Sequence, residues 1–192
     1  MQIRLAQEND VEAIQTVYQE YIDTTVTFDY ELPTIEESLS KLKNISKDYP
    51  YIVAEESGKI IGFAYAHRFM ERYAYQWGAE LTVYVSRTAV SKGIGKSMYC
   101  TLIDILQLLG IRTVYGCVTI PNKNSERLHE SLGFKRNAYF SNAGYKLGMW
   151  RDMAWFEKQI NTYQDESAPI KSIGEIGDVT IYDILKRYNE ND

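Results

Sequence analysis

The stretch from residue 83 to residue 97 is the part of the chain whose residue types and spacing most directly indicate a chemistry. An apolar, strand-like run ends at Val85, a short loop contains Gly93 and Gly95, and a helical pattern begins at once. Glycine lets the backbone approach an anion closely, and the free N–H groups in the first turn of a helix point toward it. Lys92 and Lys96 add positive charge beside this turn. The segment therefore predicts a site for phosphate or pyrophosphate.

Two common phosphate-binding loops do not fit this segment. Met98 occupies the place of the third glycine in a dinucleotide-binding Gly-x-Gly-x-x-Gly motif, and the chain has no Gly-x-x-x-x-Gly-Lys-Ser/Thr loop there. A bare Gly-x-Gly is equally compatible with an ordinary strand-to-helix turn. The choice between an anion site and an ordinary turn therefore depends on the rest of the chain.

The elements that must position this loop follow from hydrophobic periodicity. The pattern predicts strands at residues 3–6, 51–55, 60–67, 75–85, 112–119, 134–140 and 149–156, and helices starting near residues 10, 34, 95 and 123. Gly110 and Gly133 are placed to end two of these helices. Because there is no strict βαβ repeat, the order predicts an α/β (α+β) fold with a mixed sheet flanked by helices.

Composition excludes several classes of protein. The chain has 192 residues, with 21 Lys plus Arg against 26 Asp plus Glu, a net charge of −5. This charge argues against a nucleic-acid partner, and no apolar run is long enough to span a membrane. The first ten residues lack the pattern of a signal peptide. Cys100 and Cys117 lie in apolar stretches without metal-ligand spacing, which predicts buried free thiols and a cytoplasmic protein.

The last thirty residues differ in composition from the rest. Acidic residues outnumber basic ones after residue 161, and Ser167, Ala168 and Pro169 read as a linker. Four apolar residues near the end could form one or two amphipathic turns: Ile181, Ile184, Leu185 and Tyr188. We therefore expect one main domain over residues 1–160 and an acidic extension over residues 161–192, which either docks or is partly disordered.

The order of elements and the glycine loop resemble the GNAT superfamily of acetyltransferases. Gly93-Ile94-Gly95 fits its coenzyme loop, and an Asn-rich helix start at residues 122–125 leads to Gly133-Phe134, as in that superfamily. Within the superfamily, residues 1–158 resemble the phosphinothricin N-acetyltransferase family. The matching positions are Tyr75, Gln76 and Trp77, Glu80, the run 82–86, Pro121 and Asn122, the run 127–130, Leu132, Gly133 and Phe134, and the run 144–152.

The resemblance implies acetyl-CoA as co-substrate, a GNAT-like, mostly antiparallel sheet, and no metal. The implied coenzyme-binding residues are Val83, Tyr84, Val85, Lys92, Gly93, Ile94, Gly95, Lys96, Ser97, Asn122, Asn124 and Ser125. Val90 stands where the superfamily has Gln or Arg. Because most pyrophosphate contacts in that superfamily come from backbone N–H groups, we expect this difference to weaken coenzyme binding without abolishing it.

Acetyl transfer to an amine needs a base for the amine, a donor for the thioester oxygen and a group at the leaving thiolate. Glu80 interrupts the apolar run before the coenzyme-pairing strand, and the resemblance implies that it is the base; the alternative is a solvent-facing residue. His129 occupies the position implied for the thiolate, since imidazole can act as acid or base, or it is simply a packed helix residue. The N–H of Val85, or of a neighbour on the same strand, is the implied oxygen donor.

The resemblance also implies the residues that hold an acidic amino-acid substrate. They are Phe28, Arg72, Tyr75 and Lys146, with Arg72 placed to pair with a carboxylate. Met70 replaces a second basic residue of the family, so a singly charged methionine sulfone or sulfoximine is at least as plausible as phosphinothricin. We expect Trp150 to belong to the core.

Several alternatives stay open. The acceptor could be a polyamine, an aminoglycoside or a protein N-terminus, and Val90 makes a non-catalytic acyl-CoA sensor conceivable. The presence of Glu80, His129 and Asn122 together argues against the sensor. The resemblance further implies a homodimer, for which the aromatic-rich C-terminal strands are candidates.

Overall fold

A computed structural model describes residues 1–90, 92–163 and 168–189. The described strands are β1 (Gln2–Leu5), β2 (Tyr51–Glu56), β3 (Lys59–Arg68), β4 (Gly78–Val85), β5 (Thr113–Ile120), β6 (Lys135–Lys146) and β7 (Met149–Gln159). The described α-helices are α1 (Val11–Ile22), α2 (Ile35–Ile45), α3 (Ile94–Leu109), α4 (Lys123–Ser131) and α5 (Asp178–Asn189). Strand β4 begins at Gly78 and not at residue 75, because residues 73–75 form a 3-10 turn.

The strands form one sheet in the order β1-β2-β3-β4-β5-β7-β6. The β4–β5 pair is parallel, and every other neighbouring pair is antiparallel. This confirms the predicted mixed, mostly antiparallel sheet. The parallel pair lies in the middle of the sheet, with helix α3 as its crossover, so both strands are covered on their faces.

Alternation along β2 and β3 divides the core into two layers. Aromatic and branched side chains of one face pack with α1 and α2: Tyr51, Val53, Phe63 and Tyr65, against Val11, Ile14, Val17 and Leu42. The other face carries mainly small side chains that let α3 approach closely: Ala54, Ala64, Ala66 and Ala79 pack with Met98, Leu102 and Leu106. The period-two pattern of the strands therefore produces a helix–sheet–helix sandwich.

The described part of the C-terminal segment packs along α3. The indole N–H of Trp77 donates to the Ala168 carbonyl at 2.9 Å, and Lys171 N–H donates to Leu109 O at 2.9 Å. Helix α5 then buries Ile181 and Ile184 against Ile105 of α3. This helix has three turns, more than the one or two expected. Residues 164–167 and 190–192, including Ser167 of the expected linker, lie outside the described residues.

Candidate active site

Strands β4 and β5 separate beyond their first three residues. Their pairing ends at Glu80 and Tyr115. Ser86 N–H donates to Ile61 O on β3 at 2.8 Å, so alternation turns the N–H and C=O groups of Val83 and Val85 away from β3, toward the gap. The Val85 carbonyl accepts the Tyr21 hydroxyl. The N–H groups of Val83 and Val85 therefore face an open wedge in which an extended amide-containing ligand can pair with them.

The glycine turn presents free N–H groups at the wide end of this gap. Gly93 adopts φ +83°, a conformation that favours glycine, and it is the N-cap of α3. Ser97 N–H bonds to the Gly93 carbonyl, so the helix leaves the N–H groups of residues 94–96 unpaired within its own ladder. Glu20 of α1 holds the approach to the turn by accepting from Ser86 Oγ at 2.9 Å and Arg87 N at 2.6 Å. This end of the gap fits an anionic phosphate group.

A cavity of about 520 Å³ runs along the gap and the glycine turn. Ten of the twelve predicted coenzyme residues line it: Val83, Tyr84, Val85, Gly93, Ile94, Gly95, Lys96, Asn122, Asn124 and Ser125. Lys92 and Ser97 are not among its lining residues, and the Lys92 ammonium lies 3.8 Å from a Glu56 carboxylate oxygen instead. Arg127 of α4 adds a positive charge to the wall. The residues present therefore fit a pantetheine chain with a pyrophosphate end.

A second cavity of about 280 Å³ meets the first one at the gap. Five residues line both cavities: Val26, Val83, Tyr84, Asn122 and Ser125. The predicted catalytic residues Glu80 and His129 and the predicted substrate residue Phe28 line the second cavity. Ligands bound in the two cavities can therefore meet at these shared residues, in the neighbourhood of Glu80 and His129.

Glu80 lies in the second cavity with its side chain 20% exposed. Desolvation raises the pKa of this carboxyl above the usual range of a glutamate, and the nearby positive charges of His67 and Lys41 partly offset that rise. His67 Nε2 lies 3.7 Å from Glu80 Oε2, while His67 Nδ1 is 2.9 Å from the Arg68 carbonyl. A carboxylate made more basic by burial, and open to a cavity, is suited to take a proton from an amine.

His129 is buried on α4 and reaches the cavity beside Tyr99. Its Nδ1 lies 2.8 Å from the Ser125 carbonyl, so Nδ1 carries the proton and Nε2 is an acceptor. The Tyr99 hydroxyl lies 3.2 Å from Nε2 and 3.3 Å from the Leu81 carbonyl, and its one proton is available to either acceptor. Desolvation lowers the pKa of His129, which keeps the imidazole neutral. A Cβ atom at Gly116 would lie 2.2 Å from Nε2, so Gly116 of β5 provides the space for the ring. Nε2, which lies between Gly116 and Tyr99, is thus a proton acceptor.

The cysteine prediction is wrong for Cys117. Its side chain is exposed and lines the second cavity, because β5 turns this residue toward the gap and away from the core. Desolvation by the cavity wall and the Glu80 charge raise the pKa of the thiol to about 12, so it is protonated at neutral pH and a poor nucleophile. Cys100 is half-buried, and neither cysteine is in a disulfide.

The predicted substrate residues are not all brought together. Phe28 lines the cavity and packs on Gly144 of β6, where an added Cβ would lie 2.6 Å from the ring. Arg72 and Tyr75 are exposed in the β3–β4 loop and are not among the lining residues of either cavity. Lys146 is buried, and its ammonium donates to the Thr27 carbonyl at 2.8 Å. Lys146 therefore fixes the segment that carries Phe28.

The structure also corrects the prediction for Trp150 and adds three residues to the lining of the cavities. Trp150 is exposed and does not belong to the core, because the β6–β7 hairpin extends past the neighbouring strands. Sequence reasoning also missed Tyr99, Lys41 and Arg127. Tyr99 shares a helix with residues that simply pack, and Lys41 belongs to a polar helix face, so only their placement in the fold identifies them.

No described helix has the length and apolar character that a membrane crossing needs. Among the same residues, no three or more His, Cys, Asp or Glu side chains are grouped as a metal site would require.

Comparisons with known proteins agree with this geometry. Residues 3–155 match the family described as "Acetyltransferase (GNAT) domain". The chain is 36% identical to a phosphinothricin N-acetyltransferase of Streptomyces viridochromogenes over 161 residues, covering 83% of this chain and 88% of that one. It is 29% identical to an L-methionine sulfoximine/L-methionine sulfone acetyltransferase of Salmonella typhimurium, covering 85% of this chain and 96% of that one.

A solved structure supports the same assignment. The crystal structure of a GNAT superfamily phosphinothricin acetyltransferase from Sinorhizobium meliloti, in complex with acetyl-CoA, superposes with a TM-score of 0.82 at 29% identity. The superposition covers 89% of this chain and 97% of that chain. The gap, the glycine turn, the family match and the relatives agree, and the chain belongs to the GNAT acetyltransferases, within the phosphinothricin N-acetyltransferase family.

Proposed function

We propose that the chain transfers the acetyl group of acetyl-CoA directly to the amino group of a small amino-acid-like acceptor, of the methionine sulfone, methionine sulfoximine or phosphinothricin type. The observation that carries this proposal is that two cavities meet at Val83 and Tyr84 of β4, close to Glu80 on the same strand, with unpaired β4 backbone in one cavity and polar side chains in the other. The relatives named above act, by their names, on such acceptors.

Different groups of the chain bind different parts of the coenzyme. The N–H of Val85 pairs with the amide-bearing arm, and the first turn of α3 receives the pyrophosphate. Lys96 and Arg127 add positive charge to the wall of that cavity. Val90 lines the same cavity with an apolar side chain, so the anion is held there mainly by backbone donors. When bound, acetyl-CoA supplies the acetyl group as a thioester.

Glu80 acts as the general base in this proposal. It takes a proton from the acceptor's ammonium, directly or through a water, and the freed nitrogen forms the new N–C bond as the C–S bond breaks. The Val83 N–H, which faces the gap and lies nearer to Glu80 along β4 than Val85 does, donates to the oxygen as negative charge develops on it. The nitrogen then loses its second proton, which passes to the thiolate as the C–S bond breaks. The products are the N-acetyl amino acid and CoA in its thiol form, and Glu80 releases the first proton to solvent.

His129 contributes at the sulfur side through its contact with Tyr99. Because its Nδ1 proton is held by the Ser125 carbonyl and its Nε2 atom accepts, the resting imidazole has no proton to give to a thiolate. We assign His129 the role of fixing Tyr99 and the start of α4 at the gap, and of accepting a proton there before it can return one to sulfur. Its loss should therefore slow the reaction less than the loss of Glu80.

Acetyl-CoA turnover across a panel of acceptors tests the proposed function. Thiol release is measured with methionine sulfone, methionine sulfoximine, phosphinothricin, free amino acids, polyamines and aminoglycosides. We expect turnover with the amino-acid analogues and none with polyamines. Silence across the panel, with coenzyme binding still visible by calorimetry, would contradict the amino-acid acceptor and favour a non-catalytic coenzyme-binding protein.

We also propose that the protein is a cytoplasmic homodimer. Strand β6 lies at the sheet edge, and the β6–β7 hairpin exposes six large apolar side chains: Tyr139, Phe140, Tyr145, Leu147, Met149 and Trp150. A cluster of this kind is typical of a protein interface. The free thiols suit a reducing compartment. Sedimentation equilibrium tests the dimer, and Phe140→Lys should shift it to monomer.

A further inference from the structure

Lys41 is the one cationic side chain among the described residues that line the second cavity. It belongs to α2, and its side chain extends over the Tyr65 ring with Nζ 4.8 Å from the ring centroid. Tyr65 and Glu80 line the same cavity. Arg72, to which the sequence assigns the substrate carboxylate, is exposed in the β3–β4 loop and outside this lining.

The charged groups of the cavity wall suit a zwitterionic ligand held in one orientation, with its cationic group near the carboxylates and its anionic group near the lysine. Asp29 and Glu80 supply the negative groups, and Lys41 supplies the positive one. Within the described residues, no carboxylate oxygen lies within ion-pair distance of the Lys41 ammonium, whose contact is the face of Tyr65. The charge of Lys41 is nevertheless felt at Glu80, where it favours the carboxylate form. Both groups thus act on one small volume.

An α-amino acid carries its carboxylate one carbon away from the amino group that reacts. If the ammonium approaches Glu80, the carboxylate needs a cation on the same small volume, since an unpaired charge leaving water is costly. We infer that Lys41 binds the α-carboxylate of the acceptor while Glu80 takes the proton of its amino group. This inference rests on the proposed function and assigns to it a substrate-binding residue.

A consequence concerns the acceptor side chain. With one cation engaged by the α-carboxylate, Asp29 and Glu80 face the remaining volume with negative charge. A second anionic group on the acceptor would meet these carboxylates, and the described lining residues offer it no second lysine or arginine. The inferred acceptor class is therefore an α-amino acid with one carboxylate and a neutral, polar side chain, and a doubly anionic acceptor is a poorer substrate.

The test compares two acceptors that differ in the carboxylate alone. Methionine sulfone and its carboxamide are assayed with the wild-type protein and with Lys41→Met, Lys41→Arg and Arg72→Met. Lys43→Met is the matched control, because Lys43 lies on the same helix, is half-exposed and pairs with Glu8 at 2.9 Å, away from the cavity. Affinity of the CoA complex for the N-acetylated products, by calorimetry, is measured beside turnover.

We expect Lys41→Met to lower kcat/KM for methionine sulfone by about 10- to 100-fold, mainly through KM, because a hydrogen bond to a charged group contributes that much. The carboxamide should lose less than about 3-fold, and Lys41→Arg should restore most of the loss. Product affinity should fall in parallel. Any indirect effect of the lost charge on Glu80 changes both acceptors equally, so the ratio of the two losses isolates the carboxylate contact.

Three results would overturn the inference. Equal losses for both acceptors would assign Lys41 to the electrostatics of Glu80 only. A carboxylate-specific loss in Arg72→Met and not in Lys41→Met would show that Arg72 of the β3–β4 loop binds the α-carboxylate of the acceptor. A wild-type protein that acetylates neither acceptor would contradict the proposed function itself, and the Lys41 assignment with it. The first two results leave the proposed function intact.

Discussion

The two cavities that meet at Val83 and Tyr84 differ in the groups that form them. The coenzyme side is formed mainly by backbone groups, glycines and a helix start that lie close together in the chain, from β4 to the first turn of α3, and side chains at the start of α4 complete its wall. The acceptor side is formed by side chains from distant segments: α1, the α1–α2 loop, α2, β3, β4, α3, β5 and α4. A backbone site tolerates side-chain changes such as Val90, whereas a side-chain site changes its specificity with each substitution. The fold therefore keeps its coenzyme while its acceptor can vary.

Removing the Glu80 carboxylate should give the largest effect and separate the two sides most clearly. Glu80→Gln should lower kcat by about 10²- to 10⁴-fold, because the base is lost, while acetyl-CoA affinity stays within about 2-fold. Steady-state kinetics and calorimetry measure the two quantities. Glu12→Gln, an exposed carboxylate in the first turn of α1, is the control and should behave as wild type. A parallel fall in coenzyme affinity would refute the division.

The same substitution should stabilise the folded protein at neutral pH. Desolvation holds the pKa of Glu80 above its unfolded value, so the folded state binds this proton more tightly than the unfolded state does. Stability is therefore lost as pH rises through the titration range of the group. The neutral glutamine avoids that loss, and Tm at pH 7 should rise. An unchanged or lower Tm, with the same variant remaining folded, would contradict the assigned cause of the pKa shift.

A backbone change at the glycine turn should lower coenzyme affinity and leave kcat almost unchanged, the reverse of the effect of Glu80→Gln. Gly93→Ala forces an L side chain into a left-handed conformation at φ +83°, which costs about 1–2 kcal/mol. Acetyl-CoA affinity should fall by about 5- to 30-fold, while kcat at saturating coenzyme changes little. Gly110→Ala is the matched control, since it has φ +88° at the other end of α3. Both variants should lose stability, and only Gly93→Ala should lose coenzyme affinity.

Tyr99 lies where the two sides meet, and its hydroxyl should matter less. Tyr99→Phe removes a buried hydroxyl that contacts Nε2 of His129 at 3.2 Å and the Leu81 carbonyl at 3.3 Å, which should cost about 1–3 kcal/mol of unfolding free energy. The value of kcat should fall by about 5-fold, the contribution of one hydrogen bond. Urea unfolding and steady-state kinetics measure both. A loss of kcat as large as that of Glu80→Gln would instead make Tyr99 a direct participant in the proton transfer.

The smallest expected effect is a change in the pKa of Glu80 when the neighbouring His67 is replaced. His67 lies 3.7 Å from Glu80, and its positive charge favours the Glu80 carboxylate. His67→Gln removes that charge, so the pKa of Glu80 should rise and the acid limb of the kcat/KM profile should move to higher pH. Lys43→Met removes a more distant charge and should leave the limb in place. A shift to lower pH would contradict the assigned interaction.

The sequence by itself determined the elements and the coenzyme side of the site. Alternation indicated the strands, Gly110 and Gly133 indicated the ends of two helices, and the spacing of Gly93 and Gly95 predicted an anion site at the start of α3. These features are local, because the residues that define them lie within a few positions of one another. Period-two and period-3.6 patterns can therefore be interpreted without knowing where the other elements lie.

The tertiary structure alone decided the acceptor side. Lys41, Tyr99 and Cys117 face one cavity although 58 and 18 positions of chain separate them, and Arg72, which motif position favoured, lies outside it. Trp150 and Cys117 proved exposed because the hairpin and the gap in the sheet turn them away from the core. Which side chains converge depends on sheet order and on where two strands separate. These are long-range properties that no local pattern along the chain contains.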